Sequence, residues 1–544
     1  MKIDVADVPR QKIDEALAKA KGALPAESFA VLEKIVFAYS TLLEALEGKN
    51  TTIQRLRRMM FGPASEKSRE VLGPQGHGDG KNGEAHGGGK KPPQPGHGRN
   101  GQDAYRGAKS EPVAHHKLKP GDSCPTCGKG KVYEQRDRPK ILVRVTGQSP
   151  LAATIYLLQK LRCNLCEKLF PARPPKGVGP RKYDASAASM IGLLRYGGGL
   201  PFNRLHKLQN SMGVPLPPST QWEIVRDAAR GLSPAYEELE RQAAQGKVIH
   251  NDDTAMNILA WMGKRREASV RECSRGAADG QGGDNPDRTG IFTSGIVSLV
   301  EQRQIALFFT GRRHAGENLR ALLNHRDRSL SPPIQMCDAL SRNSPKDLKT
   351  VLANCLAHGR RQFVDQAENF PHGCEQVLGL LAKVYKNDAI AKKRQMTDAE
   401  RLSFHRDKSG PRMDKLHVWM RTQIAEKKVE PNSGMGQAIG YMLKHWEKLT
   451  LFLRKAGAPL DNNLCERALK KAILHRKNSL FYKTDNGARV GDVFMSLIHT
   501  CDLNGADPFD YLTLLQQHAK EVEAQPDRWM PWNYCGTIAR DPPR

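Results

Sequence analysis

Apolar residues gather in four short runs through the middle of the chain, and each run predicts a strand. Residues 247–261 (KVIHNDDTAMNILAW), 290–300 (GIFTSGIVSLV) and 303–310 (RQIALFFT) are rich in β-branched and aromatic side chains and are joined by polar connectors. The fourth run is 332–337. Helical spacing appears from His314 to Leu323 and again, as a long amphipathic helix, from Lys346 to Gln366. Upstream, residues 184–246 read as helical. Asn203 to Met212, the turn Gly213-Val214 and a helix capped near Thr220, with Glu223 three residues on, outline a helix-turn-helix. Downstream, residues 374–458 form a mainly helical, basic block containing Lys383, Lys386, Lys392, Lys393 and Arg394.

The N-terminal part has two different patterns. Leu32, Tyr39, Leu46, Ile53 and Met60 recur every seven residues with Ile35, Leu42 and Leu56 between them, interrupted by Lys49; a short coiled coil and an amphipathic helix packed on its own domain both satisfy this spacing. Residues 73–112 then hold 12 glycines and five prolines with almost no aliphatic side chains, a composition that cannot offset the entropy of ordering and predicts a flexible linker.

Three acids fall at informative places in this pattern. Asp252 interrupts the first strand, Asp338 closes the fourth, and Glu466 follows the helix-capping sequence Asp461-Asn462-Asn463. Each has a local explanation, as a turn carboxylate or, for Glu466, as a partner of Lys470 one helical turn away. Three antiparallel strands, a helix, a strand and a helix is nevertheless the layout of the ribonuclease H-like fold, which would bring these acids to one edge of its sheet. Together they would form an oxygen-only site suited to Mg²⁺ or Mn²⁺. The polar stretch Gly263 to Asp287 reads as an inserted surface loop.

Charge names the class of partner. Lys and Arg number 85 against 58 Asp and Glu, a net charge of +27 that predicts attraction to a polyanion. Around the third acid stand Arg467, Lys470, Lys471, Arg476, Lys477, Lys483 and Arg489, a density suited to DNA phosphates. His358, Arg360 and Arg361, on the helix after the second acid, are further candidates for DNA contact, with core packing the alternative for His358.

Of the 11 cysteines, four are paired as Cys124-Pro-Thr-Cys127 and Cys163-Asn-Leu-Cys166, flanking β-rich sequence at Lys140 to Val145 and Ala153 to Leu161. This spacing predicts a Cys₄ zinc ribbon, in which structural Zn²⁺ replaces a core too small to be stable alone. Neither an apolar signal core at the N-terminus nor a long apolar span is present, so a cytosolic protein without membrane association is expected.

Several strings carry a specific resemblance: His-Asn-Asp-Asp-Thr (250–254), Pro-Pro-Ile-Gln-Met-Cys-Asp-Ala-Leu-Ser-Arg-Asn (332–343), Cys-Leu-Ala-His-Gly-Arg-Arg-Gln-Phe (355–363), Asp-Asn-Asn-Leu-Cys-Glu-Arg-Ala-Leu (461–469), Arg-Lys-Asn-Ser-Leu-Phe (476–481) and Leu-Asn-Gly-Ala-Asp-Pro (503–508). The chain resembles the large subunit of the insertion-sequence sixty-six family, bacterial DDE-type transposases. The likeness extends to Phe61-Gly62-Pro63-Ala64-Ser65-Glu66-Lys67-Ser68 and Pro531-Trp532-Asn533-Tyr534. One departure is Asp253, where the family usually carries Glu.

The resemblance implies that Asp252, Asp338 and Glu466 are the catalytic acids and hold two catalytic Mg²⁺ or Mn²⁺ ions. It further implies binding of transposon ends and target DNA in the bacterial cytosol, with a homo-oligomer and accessory proteins of the same element as partners. A ribonuclease H-like nuclease and an inactive, transposase-derived DNA-binding protein are the alternatives. The expected architecture is multidomain α+β: a helical or coiled-coil segment (1–72), linker (73–112), zinc ribbon (113–180), helix-turn-helix-like DNA-binding domain (181–246), ribonuclease H-like core (247–373), helical insertion (374–458), the rest of the core with the third acid (459–520) and a C-terminal tail (521–544).

Overall fold

The computed structural model describes residues 113–115, 117–133, 148–162, 169–179, 181–263, 265–266, 288–345 and 347–540. The heptad segment, the Gly/Pro-rich stretch, Cys163, Cys166 and most of the Gly263–Asp287 loop lie outside the described residues. The chain divides into two compact units, the larger holding the described residues up to 357 with 447–452 and 457–540, the smaller holding 358–446 and 453–456.

The larger unit is a mixed α+β body built on five strands: β1 (Val248–Ala255), β2 (Phe292–Val300), β3 (Arg303–Gly311), β4 (Ile334–Cys337) and β5 (Val351–Asn354). Their order across the sheet is β3-β2-β1-β4-β5. The first three are antiparallel, with Asp252 opposite Gly295, whereas β4 and β5 run parallel to β1, with Ile334 beside Val248 and Val351.

Three boundaries differ from the sequence pattern. β5 occupies residues inside the long helix expected from Lys346, and that helix, α5 (Leu356–Gln366), begins only at Leu356. A four-residue strand has too few positions for its periodicity to separate strand from helix. The first strand ends at Ala255, and the remaining apolar residues turn into a short 3-10 segment, Leu259–Trp261, tied down by Leu259 N–H to Tyr482 O (2.8 Å) and Ala260 N–H to Lys483 O (3.2 Å). Of the β segments expected between the cysteine pairs, Lys140 to Val145 lies outside the described residues, and in Ala153 to Leu161 only Lys160 and Leu161 pair, in a strand Lys160–Arg162 antiparallel to Leu169–Pro171.

Helices α1 (Ala185–Gly192), α2 (Phe202–Ser211) and α3 (Pro218–Ala243) precede the sheet, and α4 (Ala315–Leu323) follows β3. α3 starts at Pro218 rather than at a Thr220 cap, because proline at the first helical position already has the required φ and lacks only an N–H that would be unpaired there. Val225, Leu232 and Leu239 of α3 enter the same hydrophobic core as Ile296, Leu307 and Phe308 of the sheet. Residues 181–246 therefore fold as part of the larger unit.

Two later helices close that core: α10 (Asn463–Ser479) and α11 (Asp485–Asn504). Residues 521–540, read from sequence as a tail, contribute Val522, Trp529, Met530 and Tyr534 to it.

β3 is an outer strand, yet its free edge is covered. Gln304, Ala306, Phe308 and Thr310 donate their N–H groups to the side chains of Asn504 (3.2 Å), Thr500 (3.1 Å), Ser496 (3.0 Å) and Asp492 (2.7 Å) of α11. Two strand residues advance ~6.8 Å and four helical residues ~6 Å, so polar side chains every fourth position stay in step with every second backbone amide.

In the smaller unit, α6 (Pro371–Lys393), α7 (Asp398–Lys408), α8 (Gly410–Ala425) and α9 (Gly434–Lys444) are helices of the basic block. Buried Asp388 joins two of them through Arg401 (2.8 Å) and His405 (3.3 Å), while His405 Nδ1 lies 3.0 Å from Ser409 Oγ. This Asp-His-Ser series resembles a hydrolase triad, but His405 and Ser409 are wholly buried, so it fastens helices. No described helix is long and apolar enough to cross a membrane.

Candidate active site

The strand order brings Asp252 and Asp338 to neighbouring strands. Asp252 is the fifth residue of β1, and Asp338 follows directly on the last residue of β4. Glu466 reaches them because α10 is pinned to β1 at its start. Asn462, at the N-cap, leaves its own helix uncapped and donates Nδ2–H to Asn251 O (3.1 Å), while its Oδ1 lies 3.1 Å from His250 Nδ1. Its backbone N–H meets Cys355 Sγ at 3.2 Å. One turn on, Cys465 Sγ donates to Gly295 O (3.2 Å). Gly295, opposite Asp252, leaves room for α10: a Cβ there would stand 2.9 Å from Leu469 Cγ, so the Leu469 side chain or the helix would have to shift.

Asp338 is fixed by a buried amide network. Its Oδ1 accepts from Leu340 N–H (3.2 Å) and from Asn343 Nδ2–H. Asn343 is itself held through its carbonyl, which accepts from Asn251 Nδ2 (2.8 Å) and Gln335 Nε2 (2.7 Å). Thr350 Oγ–H completes the set on Gln335 Oε1 (2.8 Å). Asn251, Gln335 and Asn343 are fully buried, so the loop after β4 is tied to the strand that carries Asp252.

Burial pushes the Asp252 carboxyl up to about 7, and the negative charges of Asp338, Glu466 and Asp253 add to that, against one N–H donated by Asp253. Carboxylates from three elements thus act on one another electrostatically. Such an arrangement favours either a bound proton or a cation. Cys337 and Cys465, beside the acids, are raised by burial and by the same carboxylates, so they remain thiols.

The predicted cations divide. Arg467, Lys470 and Lys477 are exposed on α10. Lys471 pairs with Asp502 (3.2 Å), and Arg476 turns back onto the end of β1, contacting Ala255 O and Thr254 Oγ (3.3 Å). His358 and Arg361 stand on α5 in the smaller unit.

At the first cysteine pair, Cys124 N–H bonds Gly130 O (2.7 Å), and Gly128, at φ +65°, returns its N–H to Cys124 O (2.8 Å). The N–H groups of Cys127 and then Thr126 lower the Cys124 thiol. A turn that aims amides at a sulfur suits a thiolate ligand. Its expected partners Cys163 and Cys166 lie outside the described residues.

Sequence reasoning singled out the three acids but not the residues that position them: Asn251, Gly295, Gln335, Asn343 and Asn462. All of these but Gly295 lie inside the motifs quoted above, so the signal was present without its mechanism.

A family model described as Transposase IS66 family matches residues 182–490, more than half of the chain. The chain belongs to that family. It is also similar to three proteins of Sinorhizobium fredii (strain NBRC 101917 / NGR234). Uncharacterized protein y4hP is 24% identical over 434 residues, covering 77% of this chain and 74% of the relative. Uncharacterized protein y4jD is 26% identical over 382 residues, covering 68% and 70%. Uncharacterized protein y4qI is 31% identical over 191 residues, 34% of each. The span matched by the family model includes all three acids and the helices α3 and α10.

Proposed function

We propose that this transposase cuts the ends of an insertion sequence and joins them to target DNA at a site formed by Asp252, Asp338 and Glu466. The observation that carries the reading is the convergence of acids from β1, the end of β4 and α10, where burial pushes Asp252 up to about 7 and the charges of Asp338 and Glu466 add to it. The strand order β3-β2-β1-β4-β5, antiparallel then parallel, supports a ribonuclease H-like core.

The donor set is oxygen only and anionic, which fits Mg²⁺ or Mn²⁺. Divalent ions bound there would supply Lewis acidity for phosphoryl transfer and a lowered pKa for water or a 3′-hydroxyl. The chain's own part is positional. Asn343 and Asn462 hold Asp338 and the start of α10 in register with β1, while Arg467, Lys470 and Lys477 bind the DNA backbone. No protein nucleophile is required. Cys124, Cys127, Cys163 and Cys166 hold one structural Zn²⁺, the helices at 181–246 recognise the ends, and a homo-oligomer with accessory proteins of the element pairs two ends in the cytosol.

The test is a cleavage and strand-transfer assay on the element's own ends. Asp252→Ala, Asp338→Ala and Glu466→Ala are each expected to abolish cutting and joining while leaving end binding intact. Retained joining by any of the three removes that residue from the site, and cutting without joining by the native protein replaces transposition with hydrolysis.

A further inference from the structure

Asp253 has no part in the chemistry above. Alternation along β1 turns it to the sheet face opposite Asp252, where its side chain is 1% exposed. There it accepts from Ser294 Oγ–H (2.8 Å), itself held by Asn318 Nδ2–H (2.8 Å), and lies 3.0 Å from His314 Nδ1 and 3.9 Å from Arg342 Nε. Both cationic-type partners reach solvent, His314 with 23% and Arg342 with 44% of the side chain exposed. Phe292 completes the cluster, its ring 4.3 Å from that of His314 and 5.8 Å from the Arg342 guanidinium carbon.

An arginine kept only to neutralise Asp253 would close to hydrogen-bonding distance and present its fork to the carboxylate. At 3.9 Å it does neither, so the carboxylate and the ring orient the guanidinium while its terminal N–H edge stays available. We propose that Arg342 and His314, oriented by Asp253, form a binding site for a DNA backbone phosphate a few nucleotides from the scissile one. This rests on the DNA-cutting reading above. The location follows from chain neighbours: Asp253 adjoins Asp252, and Asn343, next to Arg342, donates directly to Asp338. Phosphates recur every ~3.4 Å of axis along a strand, so DNA lying across this end of the sheet brings one of them within reach.

The probe is end DNA carrying single, uncharged methylphosphonate replacements around the cleavage position, bound by the full-length protein without divalent ions. One replacement is expected to weaken the native protein several-fold and to have no further effect on Arg342→Ala or His314→Ala. Arg342→Ala is also expected to reduce the slope of log affinity against log salt by about one, whereas Arg342→Lys keeps the slope. Arg320→Ala, on an exposed arginine already paired with Asp347 at 2.7 Å, is expected to change neither quantity. Effects that add at every position, with the slope unchanged in Arg342→Ala, overturn the inference. Because His314→Ala is read at the same position, misfolding of one variant does not spare it. Absence of salt-dependent DNA binding by the native protein overturns the DNA-cutting reading itself.

Discussion

Asp252 is kept in place against its own electrostatics. A carboxyl of ordinary pKa ~3.9 in the unfolded chain is pushed up to about 7 on folding, so the native state binds a proton more tightly than the unfolded state does. Below pH ~4 both states are protonated and the site costs nothing. Between about 4 and 7 the unfolded chain ionises first and stability falls as pH rises; above 7 the penalty is constant at roughly 2–4 kcal/mol. Asp252→Asn removes it. The metal-free variant should therefore melt above the native protein at pH 8 and match it at pH 4, while losing cleavage. Mg²⁺ should raise the native Tm at pH 8 and leave that of the variant unchanged. Equal melting of the two metal-free proteins at pH 8 would show that neither burial nor the neighbouring acids penalise the Asp252 charge.

Two element contacts translate packing into chemistry. The α10–β2 contact depends on the missing side chain at Gly295, where a Cβ would meet Leu469 Cγ at 2.9 Å and Cys465 Sγ at 3.4 Å. Gly295→Ala should cost about 1–3 kcal/mol of stability through overpacking. Because the strain lies one turn from Glu466, cleavage should fall further than the melting temperature accounts for; a loss of activity that merely tracks unfolding would sever that link. The α11–β3 contact is a second case. Thr500 Oγ both accepts from Ala306 N–H (3.1 Å) and donates to Ala306 O (3.2 Å). Thr500→Val keeps the shape but leaves two buried backbone groups unpaired, at about 1–3 kcal/mol, and Thr500→Ser should recover most of it in a urea melt. Comparable stability of Val and Ser variants would mean water replaces the hydroxyl. These two contacts also mark what could be read in advance. Hydrophobic runs located β1 to β4, and the acids at their ends were legible because chemistry restricts the residue types. α11 was not. Its Asp492, Ser496, Thr500 and Asn504 stripe has the spacing of a solvated helix face, and only a strand with an unpaired edge, invisible in local sequence, makes it an inner one. β5 was lost for a similar reason, since four residues are too few to show a period.

At the scale of the molecule, the order of segments along the chain is a poor guide to what folds together. Sequence composition separates residues 181–246 from the core and leaves 521–544 as a tail, yet a single hydrophobic cluster includes Leu232 and Leu239 of α3, Phe308 of β3, Leu497 of α11 and Trp529 and Met530 near the C-terminus. Trp529 is 4% and Met530 0% exposed. Removing them exposes the interior that α3 and α11 share. Truncation after Gln517 should therefore destabilise the whole larger unit, with the loss of two large buried side chains alone costing about 5–9 kcal/mol, comparable to the stability of a typical domain. The expected readout is a truncated protein that is insoluble or melts far below the full chain, and a full chain whose sheet and N-terminal helices are lost in one transition when followed by hydrogen exchange at α3 and β2. A soluble truncation with native protection at α3 would show that residues 181–246 fold independently of the C-terminal segment, and would restore them as a separable end-binding domain.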